Sequence, residues 1–282
     1  MLRTDLGVDL DLLVVLGAAL WGAATGALLP RAAYRFSVPS GEAWRERCPR
    51  EHPVRGWLGR SRCGQCAAGE SSSGPRAAGE SSSGPRAAGD PASGPRAAGQ
   101  AVYGPRTTPL ALATALVCPA LAAATGTRPE LAVWLLLAPP GVLLAAVDLK
   151  VRRLPDPLTL PLAGAALALL GLAALLPEHA GDWTTALLGA LALGAGYLVL
   201  FLINPAGMGF GDVKLALTAG AVLGWYGWPT LMLGTFAGFL LGAFYGGALL
   251  VARRAGRKTA IPFGPFLIAG AFLGVLAGAY AA

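Results

Sequence analysis

The chain has 282 residues, of which 55% are hydrophobic and 13% charged, with a formal net charge of +7 and a mean hydropathy of +0.58. A soluble domain of that composition would not stay dispersed in water, so the chain reads as a polytopic membrane protein. The positive charge does not imply a nucleic-acid partner, because the arginines lie in loop ends and a repeat, with no basic helix face or aromatic platform.

At about 20 apolar residues per crossing, eight runs qualify as spans. They begin near Asp11, Thr108, Glu130, Pro157, Trp183, Val213, Pro229 and Ile261. The expected fold class is all-α: a polytopic bundle of about eight transmembrane helices with a largely disordered cytoplasmic loop. The first run, residues 1–30, opens with acidic residues and lacks a basic n-region, so it reads as a membrane helix and not a signal peptide.

Residues 31–66 hold three of the four cysteines. Cys63-Gly64-Gln65-Cys66 is a CxxC pair, and Cys48-Pro49-Arg50-Glu51-His52 stands upstream. Disulfides are not expected in a cytosolic loop. Cys48, His52, Cys63 and Cys66 form a Cys3His set with spacing compatible with structural zinc; the competing reading is a decayed knuckle with free thiols. Cys118, within an apolar span, reads as a small core residue.

Residues 67–106 repeat every ten: AAGESSSGPR, AAGESSSGPR, AAGDPASGPR, AAGQAVYGPR. Units with almost no large apolar residue have nothing to offset the entropy of ordering, so a disordered linker is expected, spanning about 35 Å root-mean-square. Residues 107–282 then form the membrane-embedded domain.

Orientation follows from the basic residues. Of 22 Lys and Arg, only Arg3 and Arg128 fall in segments placed outside. Eight spans then put both termini outside and the basic loops in the cytoplasm.

Two carboxylates stand at the cytoplasmic edge of apolar runs. One is Asp148, in Ala146-Val147-Asp148-Leu149-Lys150; the other is Asp212, in Gly207-Met208-Gly209-Phe210-Gly211-Asp212-Val213-Lys214. An acid at membrane depth costs roughly 2.5–3.5 kcal/mol, so it is seldom idle. Two carboxylates sharing a proton can hydrolyse a peptide bond, the ionised one taking a proton from water and the protonated one stabilising the carbonyl. Asp212 is expected at a helix start and Asp148 at a helix end, so the dipoles favour the proton on Asp148. Taken singly, each acid reads as well in a structural role, as a helix cap or the partner of a neighbouring base, as in a catalytic one; Lys150, Arg152 and Arg153 stand near Asp148. Asp156, after Pro155, reads as the N-cap of the next helix. Lys214 is expected to pair with a carboxylate or to snorkel to headgroups. The GxGxG spacing lacks a preceding strand and a following Lys-Ser/Thr, which argues against a phosphate loop. Gly209 and Gly211 instead permit close backbone approach.

These segments resemble the type IV prepilin leader peptidases, membrane aspartyl proteases in which one Asp precedes a Leu-Pro-Asp segment, here Leu154-Pro155-Asp156, and the other ends a GxGD box. Ala219-Gly220-Ala221-Val222-Leu223-Gly224-Trp225, Ile261-Pro262-Phe263-Gly264-Pro265-Phe266-Leu267 and the early 26–39 stretch with Arg35 resemble the family as well. The resemblance implies an aspartic endopeptidase in the inner membrane, acting at the cytoplasmic face on type IV prepilins or pseudopilins. Asp148 and Asp212 are then catalytic, with Gly209, Gly211, Lys214, Pro155 and Asp156 supporting them. Membrane lipids are partners, and no cofactor serves the proteolysis. The family's cysteine region is associated with N-methylation by S-adenosylmethionine. That cofactor enters only if methyl transfer is retained, and here Pro30 replaces the usual Asn and the first cysteine pair is incomplete. Two readings from other classes compete: a proton- or cation-coupled carrier using the interfacial aspartates, and a non-catalytic pilin-assembly chaperone.

Overall fold

The computed structural model describes residues 2–39, 41–71, 102–205, 207–252 and 262–282. Among the described residues the chain is helical, with nine helices and two isolated β-bridges: α1 Leu2–Phe36, α2 Gly64–Ser71, α3 Thr107–Thr125, α4 Glu130–Val151, α5 Asp156–Ala173, α6 Trp183–Ile203, α7 Phe210–Gly224, α8 Trp228–Val251 and α9 Gly264–Ala281. Apart from Asp11, which lies nine residues inside α1, the expected starts fall within three residues of these helices. Ile261 is outside the described residues, as are Arg253 to Lys258 and 72–101 of the repeat. The first helix runs past residue 30 to Phe36, straight through Pro30.

Among the described residues seven helices are long and apolar enough to cross a membrane, so the molecule is an all-α polytopic membrane bundle. The expected eighth span, the run from Val213, falls short. α7 has 15 residues, about 22 Å of rise against a hydrocarbon core of about 30 Å. Its environment explains how a short helix suffices, since 11 of its residues are buried among neighbouring helices. α7 meets helices where the others meet lipid.

α7 nevertheless keeps the up-and-down order. Gly189 of α6 faces Gly220, and Thr185 faces Gly224 near the other end of α7, so the two helices run antiparallel. A Cβ at Gly189 would lie 2.6 Å from the Gly220 carbonyl oxygen, so this crossing requires glycine. α1 likewise opposes α3, with Gly22 against Thr114 and Gly26 against Ala111. One end of the bundle therefore collects the C-termini of α1 and α4 and the N-termini of α5, α7 and α9. The opposite end holds the start of α4 and the end of α9, tied by the Arg128 Nη1 bond to the Ala279 carbonyl (2.9 Å), and there the Ala180 N–H, between α5 and α6, bonds Glu130 Oε1 (3.2 Å). The outer surface carries exposed Leu175, Leu202, Phe236 and Phe244, as a lipid-facing surface does.

The cysteine segment is fastened to α1 at its proline. Pro30 has no N–H to give, and on either side of it Gly59 bonds the helix backbone: its N–H donates to Leu28 (2.7 Å) and its carbonyl accepts from Arg31 (3.0 Å). Arg35, buried on the same helix, donates to the Gly56 carbonyl at 3.0 Å and stacks over Trp57.

The repeat is ordered at both described ends, which narrows the expected 67–106 linker. α2 carries the first unit to Ser71. In the last unit Val102 bridges to Arg62, the Tyr103 N–H bonds the Ser61 carbonyl (2.9 Å), and its ring packs edge-on against Tyr34. This unit differs from the others by reading Ala-Val-Tyr where the first reads Ser-Ser-Ser, and Tyr103 gives it an aromatic face to bury.

Candidate active site

The loop between α4 and α5 and the start of α7 meet at one end of the bundle. Asp148 lies in the last turn of α4, whose C-cap Arg152 adopts left-handed φ 52° and donates its N–H to the Asp148 carbonyl. Asp212 is the third residue of α7. Both are buried, at 4% and 6% exposure, in a medium where a stray charge is costly. They line a single cavity of about 230 Å³ with Arg152, Arg153, Leu154, Asp156, Gly209, Phe210, Gly211 and Lys214.

Each carboxylate is held by one backbone donor. Asp212 Oδ2 accepts the Gly209 N–H at 3.2 Å, while the Asp212 N–H bonds the Gly209 carbonyl at 3.0 Å. The acid thereby caps its own helix. Asp148 Oδ2 accepts the N–H of Gly264 at 3.1 Å, across 116 residues. Gly264 is the first residue of α9, so a helix N-terminus faces Asp148 as well as Asp212. The one-sided dipole argument for placing the proton on Asp148 loses its basis, because it counted only α4.

Among the described residues neither acid is a salt-bridge partner: the ion pairs are Arg47–Glu51 and Lys214–Asp156, so the competing reading of Asp148 as the partner of Lys150, Arg152 or Arg153 draws no support. Arg153, at the cavity wall, donates to the Pro39 carbonyl at 2.8 Å and lies over Trp44. Asp156 does not cap α5. The N-cap is Pro155, whose carbonyl accepts from Leu158 and Thr159, and the Asp156 carboxylate meets Lys214 Nζ at 2.7 Å. Lys214 thus pairs with a carboxylate, and this pair ties α7 to the start of α5 beside the acids. Pro155 does not line the cavity.

The two box glycines differ. A Cβ at Gly211 would lie 2.9 Å from Leu154 Cβ, so α7 can seat against the α4–α5 loop only with glycine there. At Gly209 the nearest atom would be 3.5 Å away, an ordinary contact. Packing does not explain that glycine.

Two groups escape a reading of the sequence. Gly264 acts through its backbone N–H, and a Cβ there would fall 2.8 Å from Asp148 Oδ2. Its quoted segment marked the place but not the role. Tyr197 of α6 is 2% exposed, its hydroxyl has no hydrogen-bond partner among the described residues, and Asp212 is its charged neighbour. An aromatic residue inside an apolar run gives no signal of this kind. Tyr197→Phe is expected to leave thermal stability equal or higher, since it removes an unsatisfied buried group. Melting curves on the purified variant check this; a clearly lower melting temperature would mean that the hydroxyl is engaged.

The cysteine segment forms a second cluster at the same end. Cys48, His52, Cys63 and Cys66 bring their ligand atoms within 4.8 Å of one another. A turn through Glu51, at φ 62°, sets Cys48 beside His52, and Cys63 stands just before α2 with Cys66 in its first turn. The separations are 3.6 Å from Cys48 Sγ to His52 Nδ1, 3.7 Å from Cys63 Sγ to His52 Nδ1, 3.8 Å between Cys48 and Cys66 Sγ, and 3.2 Å from His52 Nδ1 to Cys66 Sγ. A zinc tetrahedron has edges of about 3.8 Å between sulfurs and 3.6 Å from sulfur to nitrogen, so three of the four distances fit closely. Backbone N–H groups of Cys66 and Gln65 push the Cys63 thiol down, while burial pushes Cys66 up.

The sequence model of the type IV leader peptidase family matches residues 131–247, a segment containing Asp148 and Asp212 but ending before α9. Proteins named prepilin leader peptidase/N-methyltransferase are similar to the chain. That of Aeromonas salmonicida (strain A449) is 36% identical over 177 residues, covering 60% of this chain and 55% of the relative. That of Aeromonas hydrophila is 38% identical over 179 residues, covering 60% and 56%. That of Pseudomonas aeruginosa is 35% identical over 178 residues, covering 59% and 57%. The chain thus spans just over half the length of these relatives, and no solved structure matches it.

Proposed function

We propose, with residues 131–247 a type IV leader peptidase segment as the premise, that the chain is a membrane aspartyl endopeptidase cleaving the leader from type IV prepilins or pseudopilins. The observation carrying this reading is the meeting of Asp148 and Asp212, 64 positions apart, in one buried cavity, with no cation paired to either among the described residues. The ionised carboxylate takes a proton from water as the oxygen attacks the scissile carbonyl. The protonated one hydrogen-bonds that carbonyl oxygen as charge develops, then the pair delivers a proton to the leaving amine. About 230 Å³ holds a peptide group and its water. Gly209 and Gly264 fix one oxygen of each acid by their N–H groups, leaving the other for chemistry. Lys214 and Asp156 brace the start of α7, and Gly211 lets it close on Leu154. The carrier and chaperone readings draw no support from the family match.

We place the protein in the inner membrane with the catalytic end in the cytoplasm and both termini outside. Arg31, Arg35, Lys150, Arg152, Arg153 and Lys214 gather toward the catalytic end, and positive charge favours the cytoplasmic side. Residues 107–282 then act as the peptidase and 31–66 as a metal-binding segment. The test is co-expression with a tagged prepilin, reading precursor and mature bands. No processing by the wild type would end this assignment.

Cys48, His52, Cys63 and Cys66 hold structural zinc in this reading, and the metal takes no part in the proteolysis. Purified protein is expected to contain about one zinc per chain by elemental analysis. Cys63→Ser should lose it and expose the 41–71 segment to added protease, with leader cleavage retained. Zinc-free wild type would sink the metal assignment. S-adenosylmethionine belongs here only if methyl transfer is retained.

A further inference from the structure

In the cysteine segment, Arg55-Gly56-Trp57-Leu58-Gly59-Arg60 forms a tip that lies along the end of α1. Gly56 (φ 76°) and Gly59 (φ 127°) turn the chain in the left-handed region that favours glycine, and between them Trp57 and Leu58 stand 42% and 60% exposed. Single exposed apolar residues are common and need no partner. This pair differs because hydrogen bonds from both sides hold its backbone on α1. The N–H and carbonyl of Gly59 bond Leu28 and Arg31, Arg31 Nη1 donates to the Arg55 carbonyl at 2.8 Å, and Arg35 Nη1 donates to the Gly56 carbonyl. The tip is built to display two large apolar side chains.

The height of the tip is set by α3. Gly26 of α1 faces Ala111 and the two helices run antiparallel, so four residues further on Pro30 is level with Thr107, the first residue of α3. α3 has 19 residues, about 28 Å of rise against about 30 Å of hydrocarbon, which puts Thr107 at the edge of the apolar layer. Gly59, bonded on either side of Pro30, stands at that edge too, and Leu28 beside it is 45% exposed. α1 continues six residues, about 9 Å, past Pro30 to Phe36, so the tip reaches back along the helix to the bilayer. Its charge suits the bilayer surface. Between positions 53 and 65 the charged residues are Arg55, Arg60 and Arg62, all exposed, with no acid among them.

We propose that the 56–59 tip is a lipid anchor: Trp57 and Leu58 enter the boundary between headgroups and acyl chains, and Arg55 and Arg60 on its shoulders hold anionic headgroups. An indole ring suits that layer, and apolar side chains rimmed by cations are the pattern of interfacial binding. A protein partner fits less well, since a stable interface takes about 20 residues a side and the tip offers two between arginines. The anchor fixes the cysteine segment against the membrane beside α1, because Cys63 follows Gly59 by four residues. It rests on the membrane bundle and not on the proteolytic reading.

A fluorescent amino acid is placed at Leu58, or for comparison at Arg50, in the full chain reconstituted in vesicles of equal phosphatidylglycerol and phosphatidylcholine. Both positions are exposed, so neither replacement disturbs packing. Lipids brominated near the headgroup end of the acyl chain are expected to quench the probe at Leu58 about threefold and the probe at Arg50 hardly at all, with aqueous iodide giving the reverse order. In phosphatidylcholine alone, or with Arg55→Gln and Arg60→Gln together, quenching at Leu58 by the brominated lipid should weaken about twofold. Equal access of iodide to the two probes overturns the anchor. Emission at Leu58 that follows protein density and not lipid bromination assigns the tip to a second copy and overturns it as well. Bromine quenching that is unchanged without phosphatidylglycerol overturns the anionic partner. The fluorescence reads the tip whether or not the chain cleaves a leader, so the anchor and the chemistry fail separately.

Discussion

Asp148→Asn and Asp212→Asn should each lower leader cleavage by at least a thousandfold, at membrane levels equal to the wild type. Asn is the stringent replacement because an amide oxygen can still accept the N–H that each acid now holds, from Gly264 in one case and Gly209 in the other. The cap of α7 and the tie from α4 to α9 therefore survive, and any loss belongs to the chemistry. An amide neither takes a proton from water nor offers an acidic proton to the carbonyl oxygen. The double variant should be no worse than the singles, since two groups that work as a unit fail as a unit. Precursor-to-product ratios over a time course measure this. A single variant retaining a tenth of wild-type activity would move the chemistry away from the pair.

The second large effect is expected at a residue with no side chain. Gly264→Ala places a Cβ 2.8 Å from Asp148 Oδ2 and 3.3 Å from its Cγ, closer than such contacts settle. Something must move, and the atom in the way is the carboxylate itself. A misplacement of about 1 Å at a reacting group costs on the order of a hundredfold, the drop expected in kcat. Stability should not follow, because alanine favours a helix over glycine by about 1 kcal/mol. An inactive protein that melts no lower than wild type is the predicted signature, read by kinetics and thermal unfolding together. Wild-type kcat in Gly264→Ala would mean that Asp148 does not depend on its position against α9.

The sequence disclosed what is local. Cys48, His52, Cys63 and Cys66 lie within 19 consecutive positions, and the structure brings all four together. Span starts were legible because apolar runs and prolines mark them. α7 was misjudged because hydrophobicity does not distinguish a helix facing lipid from one facing other helices. Its shortness was written in Gly227, at φ 93°, followed closely by Pro229, which closes the run. The role of Asp156 failed for a different reason. Asp beside proline at a helix start is a good local cap, but Lys214, 58 positions on, offered a stronger partner that no local pattern announces. Gly264 and Tyr197 share that limitation, since a backbone donor and an unpartnered hydroxyl gain meaning only from what tertiary structure sets against them.

The clasp formed by Arg62 with Val102 and Ser61 with Tyr103 has a bearing on how this sequence can drift over generations. Whatever path residues 72–101 take, the chain that follows them is already returned to the chain just before α2 by bonds that lie outside them. Tandem decapeptides gain or lose whole copies by slippage during replication, and closing a longer loop costs only about 0.6 kcal/mol per doubling of length. Copy number can therefore vary among lineages with little selective consequence for the membrane bundle, whereas the divergent last copy, which supplies Val102 and Tyr103, is the one that drift cannot discard.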